Sequence, residues 1–151
     1  MDIKKALFKL ISFCSANKIE YMVTGTTALS MLGIPSEPHD IDIKVFGLNQ
    51  EQTAKLKELQ FLSGQKEIEY ADTCYTFMID DVKINVIVDK AESIDEFLRK
   101  RIIIQALNNI NMRRYQISVQ QVIFALADKM RLRRGKDNAF MLNLINKLSS
   151  L

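Results

Sequence analysis

Two aspartates, Asp40 and Asp42, offer the clearest chemistry in the chain, in the run His39-Asp-Ile-Asp-Ile43. On an extended strand, residues i and i+2 leave the same face, with Cα atoms about 6.7 Å apart. Two carboxylates that close repel each other unless a cation sits between them. Mg²⁺ takes oxygen ligands and is often held by one or two carboxylates together with the phosphates of a substrate. The pair is thus a natural half-site for a metal–triphosphate complex. The plainer reading is an exposed strand face that carries two acids.

A second segment lies just upstream. Val23-Thr-Gly-Thr-Thr-Ala-Leu29 reads as a strand that ends at Gly25 and opens into a helix. Glycine at such a turn lets backbone amides approach a phosphate, and a helix start favours an anion. Thr26 and Thr27 add hydroxyl donors there. Alone, Gly25 is as well explained as a turn residue. Beside the acidic pair it completes a constellation, a phosphate turn and an acidic strand separated by one short helix. Further on, Lys129, Arg131, Arg133, Arg134 and Lys136 form a basic cluster. It reads as the lining for a triphosphate or a polynucleotide backbone, or else as a solvated helix face. Asp128 beside it reads as a surface acid. His39 is the only histidine, which excludes a His-rich metal site and makes a Ser-His-Asp triad a poor fit. It either orients Asp40, touches a phosphate, or has no special role.

The elements that must position these residues follow from periodicity and punctuation. Ile3, Leu7, Leu10, Ile11 and Cys14 share one helical face, giving a helix over about 2–17. Glu20–Thr24 is a strand. Thr27–Leu32 is a helix stopped by Gly33 and Pro35. Asp40–Phe46 alternates polar and apolar, as a half-buried strand does. A helix spans about 51–61. Strand-like runs follow at Glu67–Tyr70, Thr73–Ile79 and Val82–Val88, with Asp80-Asp81 as a tight turn. Ser93-Ile-Asp-Glu96 is a capping box opening another helix, and Ser118-Val-Gln-Gln121 is a second one. Arg101–Leu107 and Asn111–Ile117 flank Asn108-Asn109 as a hairpin. The order predicts a single domain over residues 1–151, an α/β layer fold with a mixed sheet flanked by helices. Residues 1–98 form the sheet core with the acidic pair, and residues 99–151 a basic, mainly helical tail. A helical crossover between the first two strands predicts that they run parallel.

Composition bounds the class. The 151 residues are 48% hydrophobic and 26% charged, ordinary for one globular domain. A chain this long buries roughly 68–70% of its unfolded surface without a disulfide or metal staple. Cys14 and Cys74 form no framework and read as reduced thiols in a cytoplasmic protein. The first twenty residues read as an amphipathic helix and not a signal peptide, and no run approaches the roughly 20 apolar residues of a membrane helix. Charge is unevenly spread. Residues 1–98 carry 10 Lys+Arg against 16 Asp+Glu, a net −6, and residues 99–151 carry 11 against 2, a net +9. A basic half suggests a polyanionic partner such as RNA, or else attraction between the two halves.

The constellation resembles the DNA polymerase β-like nucleotidyltransferases, above all the minimal nucleotidyltransferases and the AbiEii-like toxin group. Their signature is a hydrophobic residue, Gly, Gly or Ser, a short helix, then Asp-hydrophobic-Asp. Gly25 matches the glycine, Thr26 stands at the second position, and Asp40 and Asp42 match the acids. Ala127-Asp-Lys129 followed by Arg133-Arg-Gly-Lys-Asp137 is similar to the tail of the AbiEii-like group. The resemblance implies transfer of a nucleoside monophosphate from an NTP to a hydroxyl, on an RNA, tRNA or protein acceptor. It implies Mg²⁺ or Mn²⁺ on Asp40 and Asp42, phosphates at Gly25, Thr26 and Thr27, and Lys129 and Lys136 beside the triphosphate. Four positions depart from the pattern. Ser36 and Pro38 replace an arginine and a threonine, and Phe140 replaces an acid. The third catalytic carboxylate falls at Asn85, on Lys83-Ile-Asn-Val-Ile87, with Asp89 four residues on. Asn85 and Ser36, with Thr26 in place of the second Gly or Ser, favour the alternative of a catalytically impaired nucleotide-binding module, for example one half of a toxin–antitoxin pair.

Overall fold

The computed structural model describes residues 2–63, 73–88, 93–132 and 135–149. The expected strand Glu67–Tyr70 lies outside the described residues, as do Asp89, Arg133, Arg134 and the side chain of Lys136. The elements are α1 (Ile3–Ala16), β1 (Glu20–Thr24), α2 (Gly25–Met31), β2 (Asp40–Phe46), α3 (Gln50–Ser63), β3 (Thr73–Ile79), β4 (Val82–Val88), α4 (Ile94–Arg99), β5 (Arg101–Asn108), β6 (Arg113–Gln120), α5 (Val122–Leu132) and α6 (Gly135–Ser149). The six strands form one mixed sheet in the order β3-β4-β2-β1-β6-β5. The expected α/β fold with a mixed sheet and a C-terminal helical segment is the fold observed.

Local chemistry explains most of the elements. Asp2 caps α1 by accepting from the Lys5 amide at 3.0 Å, satisfying one of the orphan donors at a helix start. The α1 face carrying Ala6, Leu7, Leu10, Ile11 and Cys14 is buried against Ile41, Ile43 and Val45 of β2 and Ile84 and Val86 of β4. Strand alternation then turns Asp40, Asp42 and Lys44 to the opposite face of the sheet. Asp80 and Asp81 both take positive φ, 47° and 65°, the backbone of a two-residue hairpin turn. That turn sets the β3–β4 register. Ser93 caps α4 through the Glu96 amide, as the capping box predicts.

Two expectations are corrected. The first two strands are antiparallel, with Thr24 opposite Asp42 and Glu20 opposite Phe46. A helix of seven residues spans only about 10 Å, too short to carry the chain back along β1. Instead α2 and the loop after it start and finish at the same end of the sheet. The second correction concerns Ser118, which caps no helix. Ser118, Val119 and Gln120 are the last residues of β6, paired with Ile103, Ile102 and Arg101, and Val119 also pairs with Val23 of β1. Burial of Ile117 and Val119 in the core overrides the local capping pattern, and α5 begins after Gln121. The β5–β6 turn is also longer than Asn108-Asn109. It runs through Met112 at φ 57°, with Asn108 and Asn111 side chains accepting from the Ile110 and Arg113 amides.

Candidate functional site

β1 ends at Thr24, and the chain turns at Gly25 with φ +65°, a conformation that disfavours a side chain. The turn lies directly against the acidic strand. A Cβ added to Gly25 would stand 3.2 Å from Asp42 Oδ2. The missing side chain is therefore what lets the turn and the carboxylate approach. Two hydroxyls fasten the arrangement. Thr24 Oγ1 donates to the Asp42 carbonyl at 3.2 Å, and Thr27 Oγ1 donates to the Asp40 carbonyl at 2.9 Å. Thr27 is buried, so its hydroxyl braces α2 against β2, where the sequence reading had it facing a phosphate. Ser36 Oγ lies between two carbonyls, Thr26 at 3.3 Å and Ile34 at 3.2 Å, so its one hydroxyl proton is shared between the turn and the loop after α2.

β2 and β4 run parallel, with Asp42 opposite Asn85. Asn85 Nδ2 donates to Asp42 Oδ1 at 2.8 Å, and Thr76 Oγ1 lies 3.1 Å from Asn85 Oδ1. Cys74 Sγ lies 4.0 Å from the same threonine hydroxyl. Asn85 and Thr76 are only 3% and 1% exposed. Burial pushes the Cys74 thiol up, the Thr76 contact opposes this, and the Asp42 charge adds to it. A polar row thus crosses three strands and ends on the acidic pair. Asn85 stands on β4 opposite Asp42 and presents its amide N–H₂ to that carboxylate.

α5 brings the cationic side. Lys129 is 8% exposed. Its Nζ donates to Thr26 Oγ1 at 3.1 Å and sits 4.5 Å from the centre of the Phe140 ring, within cation–π range. Next to it, Asp128 accepts from Gln120 Nε2 at 3.0 Å and faces Lys44 Nζ at 3.7 Å and Arg131 at 3.2 Å. Asp128 is therefore a half-buried node tying β2, β6 and α5 together, and not the surface acid the sequence suggested. His39 is exposed beside Asp40.

The structure thus gathers Gly25, Thr26, Asp42, Asn85 and Lys129, with Asp40 two residues from Asp42 on the same face. Thr76, Cys74 and the role of Phe140 were missed from sequence. A signal for the first two existed, because counting outward from the Asp80-Asp81 turn places Thr76 opposite Asn85. The donor set fits a divalent cation only in company. Among the described residues no group of three or more His, Cys, Asp or Glu could hold a metal. Two carboxylates beside a glycine cleft suit a cation that brings its own phosphate oxygens.

Comparison with solved structures decides the architecture. A structure from Thermotoga maritima described as a candidate nucleotidyltransferase matches with TM-score 0.55 and 17% identity, covering 97% of this chain and 96% of that chain. The fold is nucleotidyltransferase-like. An antigenic nucleotidyltransferase-like protein from Paracoccidioides brasiliensis matches with TM-score 0.51 and 14% identity, covering 90% of this chain and 70% of that one. No protein-family model and no curated protein matches the chain. At these identities the likeness speaks for the nucleotidyltransferase-like fold alone. Among the described residues no helix is long and apolar enough to cross a membrane.

Proposed function

We propose that this chain binds a nucleoside triphosphate with Mg²⁺ or Mn²⁺ and transfers the nucleoside monophosphate to a hydroxyl acceptor, releasing pyrophosphate. The observation that carries the reading is the approach of the Gly25 turn to Asp42, where a Cβ would stand 3.2 Å from the carboxylate. Asp40 and Asp42 would hold the cation, which when bound neutralises phosphate charge and polarises the group under attack. Gly25 leaves room for the phosphates beside the acids. Lys129 keeps an ammonium at the Thr26 hydroxyl, where it attracts the triphosphate. In the transfer an acceptor oxygen bonds to the α-phosphorus as the bridging oxygen leaves with pyrophosphate. The acceptor proton passes to solvent, because the Asn85 amide cannot take it. The net +9 of residues 99–151 suits an RNA or tRNA acceptor, the AbiEii-like toxins being the resembled group, in a cytoplasmic setting.

The test is calorimetry with each NTP, with and without Mg²⁺, on the parent and on Asp40→Ala with Asp42→Ala. Metal-dependent binding lost in the folded double variant supports the reading; equal binding by both removes it. One observation favours a second reading, a nucleotide-binding module of a toxin–antitoxin pair that turns over slowly or not at all. It is the neutral Asn85 against Asp42. Transfer of labelled nucleotide across a panel of RNA and protein acceptors separates the two readings.

A further inference from the structure

We propose that Asn85 is a positioning residue for Asp42 and not a metal ligand, so that the site holds one divalent cation with its nucleotide. This rests on the metal-dependent reading above and deepens it.

The argument starts from hydrogen-bonding capacity. A carboxylate has acceptors only. The Asn85 atom 2.8 Å from Asp42 Oδ1 must therefore be the amide nitrogen. That fixes the other end of the amide, and Asn85 Oδ1 faces Thr76 at 3.1 Å. An amide oxygen cannot donate, so the Thr76 hydroxyl proton points to Asn85. Its oxygen is left as the acceptor for the Cys74 thiol at 4.0 Å. The donors all run one way, from Cys74 to Thr76 to Asn85 to Asp42. Cys74, Thr76 and Asn85 are buried, and the row spans β3, β4 and β2 in register.

For Asn85 to ligate a cation beside Asp42, its oxygen would have to face Asp42. Turning the amide over would leave the N–H₂ able to donate to the Thr76 hydroxyl, but it would set the amide oxygen against the carboxylate and lose the 2.8 Å hydrogen bond to Asp42. The amide therefore holds Asp42 from the side by one oxygen and supplies a neutral donor where a third carboxylate would bring a charge. A second divalent cation would add two more positive charges to balance, whereas the described residues place two carboxylates, Asp40 and Asp42, on this face and no group of three or more His, Cys, Asp or Glu that could hold a metal. Thr76 fixes the amide and so acts on Asp42 at second hand.

The experiment counts metal. Mn²⁺ per chain is measured by equilibrium dialysis and electron paramagnetic resonance, with the α,β-methylene analogue of whichever NTP binds. One ion per chain with an isolated-ion spectrum is expected for the parent. Asn85→Asp adds the missing carboxylate and raises the count to two, with spin coupling between the ions. Thr76→Val frees the amide and weakens Mn²⁺ binding by about 2- to 10-fold, the order of one lost hydrogen bond, while Thr76→Ser restores it. Two coupled ions in the parent overturn the inference and leave the nucleotide reading standing. So does an Asn85→Asp count that stays at one, or a folded Thr76→Val that binds Mn²⁺ like the parent. No Mn²⁺ bound with any analogue overturns both.

Discussion

Gly25 and Asp42 meet so closely that a single methyl group on the glycine would stand 3.2 Å from the carboxylate oxygen Oδ2. Gly25 also holds φ +65°, which a side chain tolerates at a cost of roughly 1–2 kcal/mol. Gly25→Ala is expected to lower stability by about that amount in urea melts and to displace the Asp42 carboxylate. Metal-dependent nucleotide binding should fall more than stability does. A variant that melts earlier but binds Mg-NTP like the parent would show that the turn is structural only.

Lys129 is the one described cation that hydrogen-bonds the Gly25-Thr26 turn. Lys129→Met keeps an unbranched apolar side chain and removes the charge that sits over the Phe140 ring. NTP affinity should drop about 10-fold or more, as for a hydrogen bond to a charged group, with little change in melting temperature. Unchanged affinity by calorimetry would assign Lys129 to packing.

Asn85→Asp sets a second carboxylate 2.8 Å from Asp42, in place of a donated hydrogen bond. Without metal the variant is expected to lose roughly 1–3 kcal/mol of stability, the order of a lost buried hydrogen bond. Millimolar Mn²⁺ should recover most of it in thermal melts, and recovery in the parent should be smaller. If metal stabilises both equally, residue 85 does not face the cation site. Added transfer activity in this variant would mark the parent as a weakened enzyme, since a positioned base typically contributes 10²–10⁴-fold.

Cys14 supplies a pH dependence far from the site. Burial on the inner face of α1 pushes its thiol from 9.0 up to about 12. The folded state keeps its proton longer than the unfolded state. The stability it contributes is therefore intact below pH 9 and is lost progressively as pH rises from about 9 toward 12. Urea midpoints measured from pH 8 to 10.5 should fall more steeply in the parent than in Cys14→Ala. Parallel slopes would mean that another group governs the alkaline limb.

The sequence made the frame legible because its strongest signals were local. Alternation in Asp40–Phe46 fixed both the strand and the shared face of the two acids, and the Asp80-Asp81 turn fixed the β3–β4 register. What escaped depended on partners distant in sequence. The antiparallel β1–β2 pairing follows from how short α2 is, which outweighed the usual reading of a helical crossover. Ser118 looked like a cap until pairing with β5 and burial of its neighbours claimed it for β6. Thr27 and Asn85 lie on the expected helix and strand, but the atoms their hydrogen bonds occupy became evident only from tertiary contacts. Asp128 seemed exposed because the two groups that enclose it, Lys44 and Gln120, come from other strands.

The strand order also sets a timetable. β1 lies between β2, which follows it closely in the chain, and β6, which comes late and sets Val119 opposite Val23. During synthesis the chain emerges from its N-terminus, so β1, β2, β3 and β4 can assemble while the rest is still being made. Closing the remaining edge of β1 waits for a long loop to be drawn in, the kind of distant contact that slows folding. Lys129 arrives later still, on the helix after β6. A nascent chain released near residue 88 would therefore carry both aspartates without their facing ammonium, and would leave β1 as an open strand edge ready to pair with a neighbour.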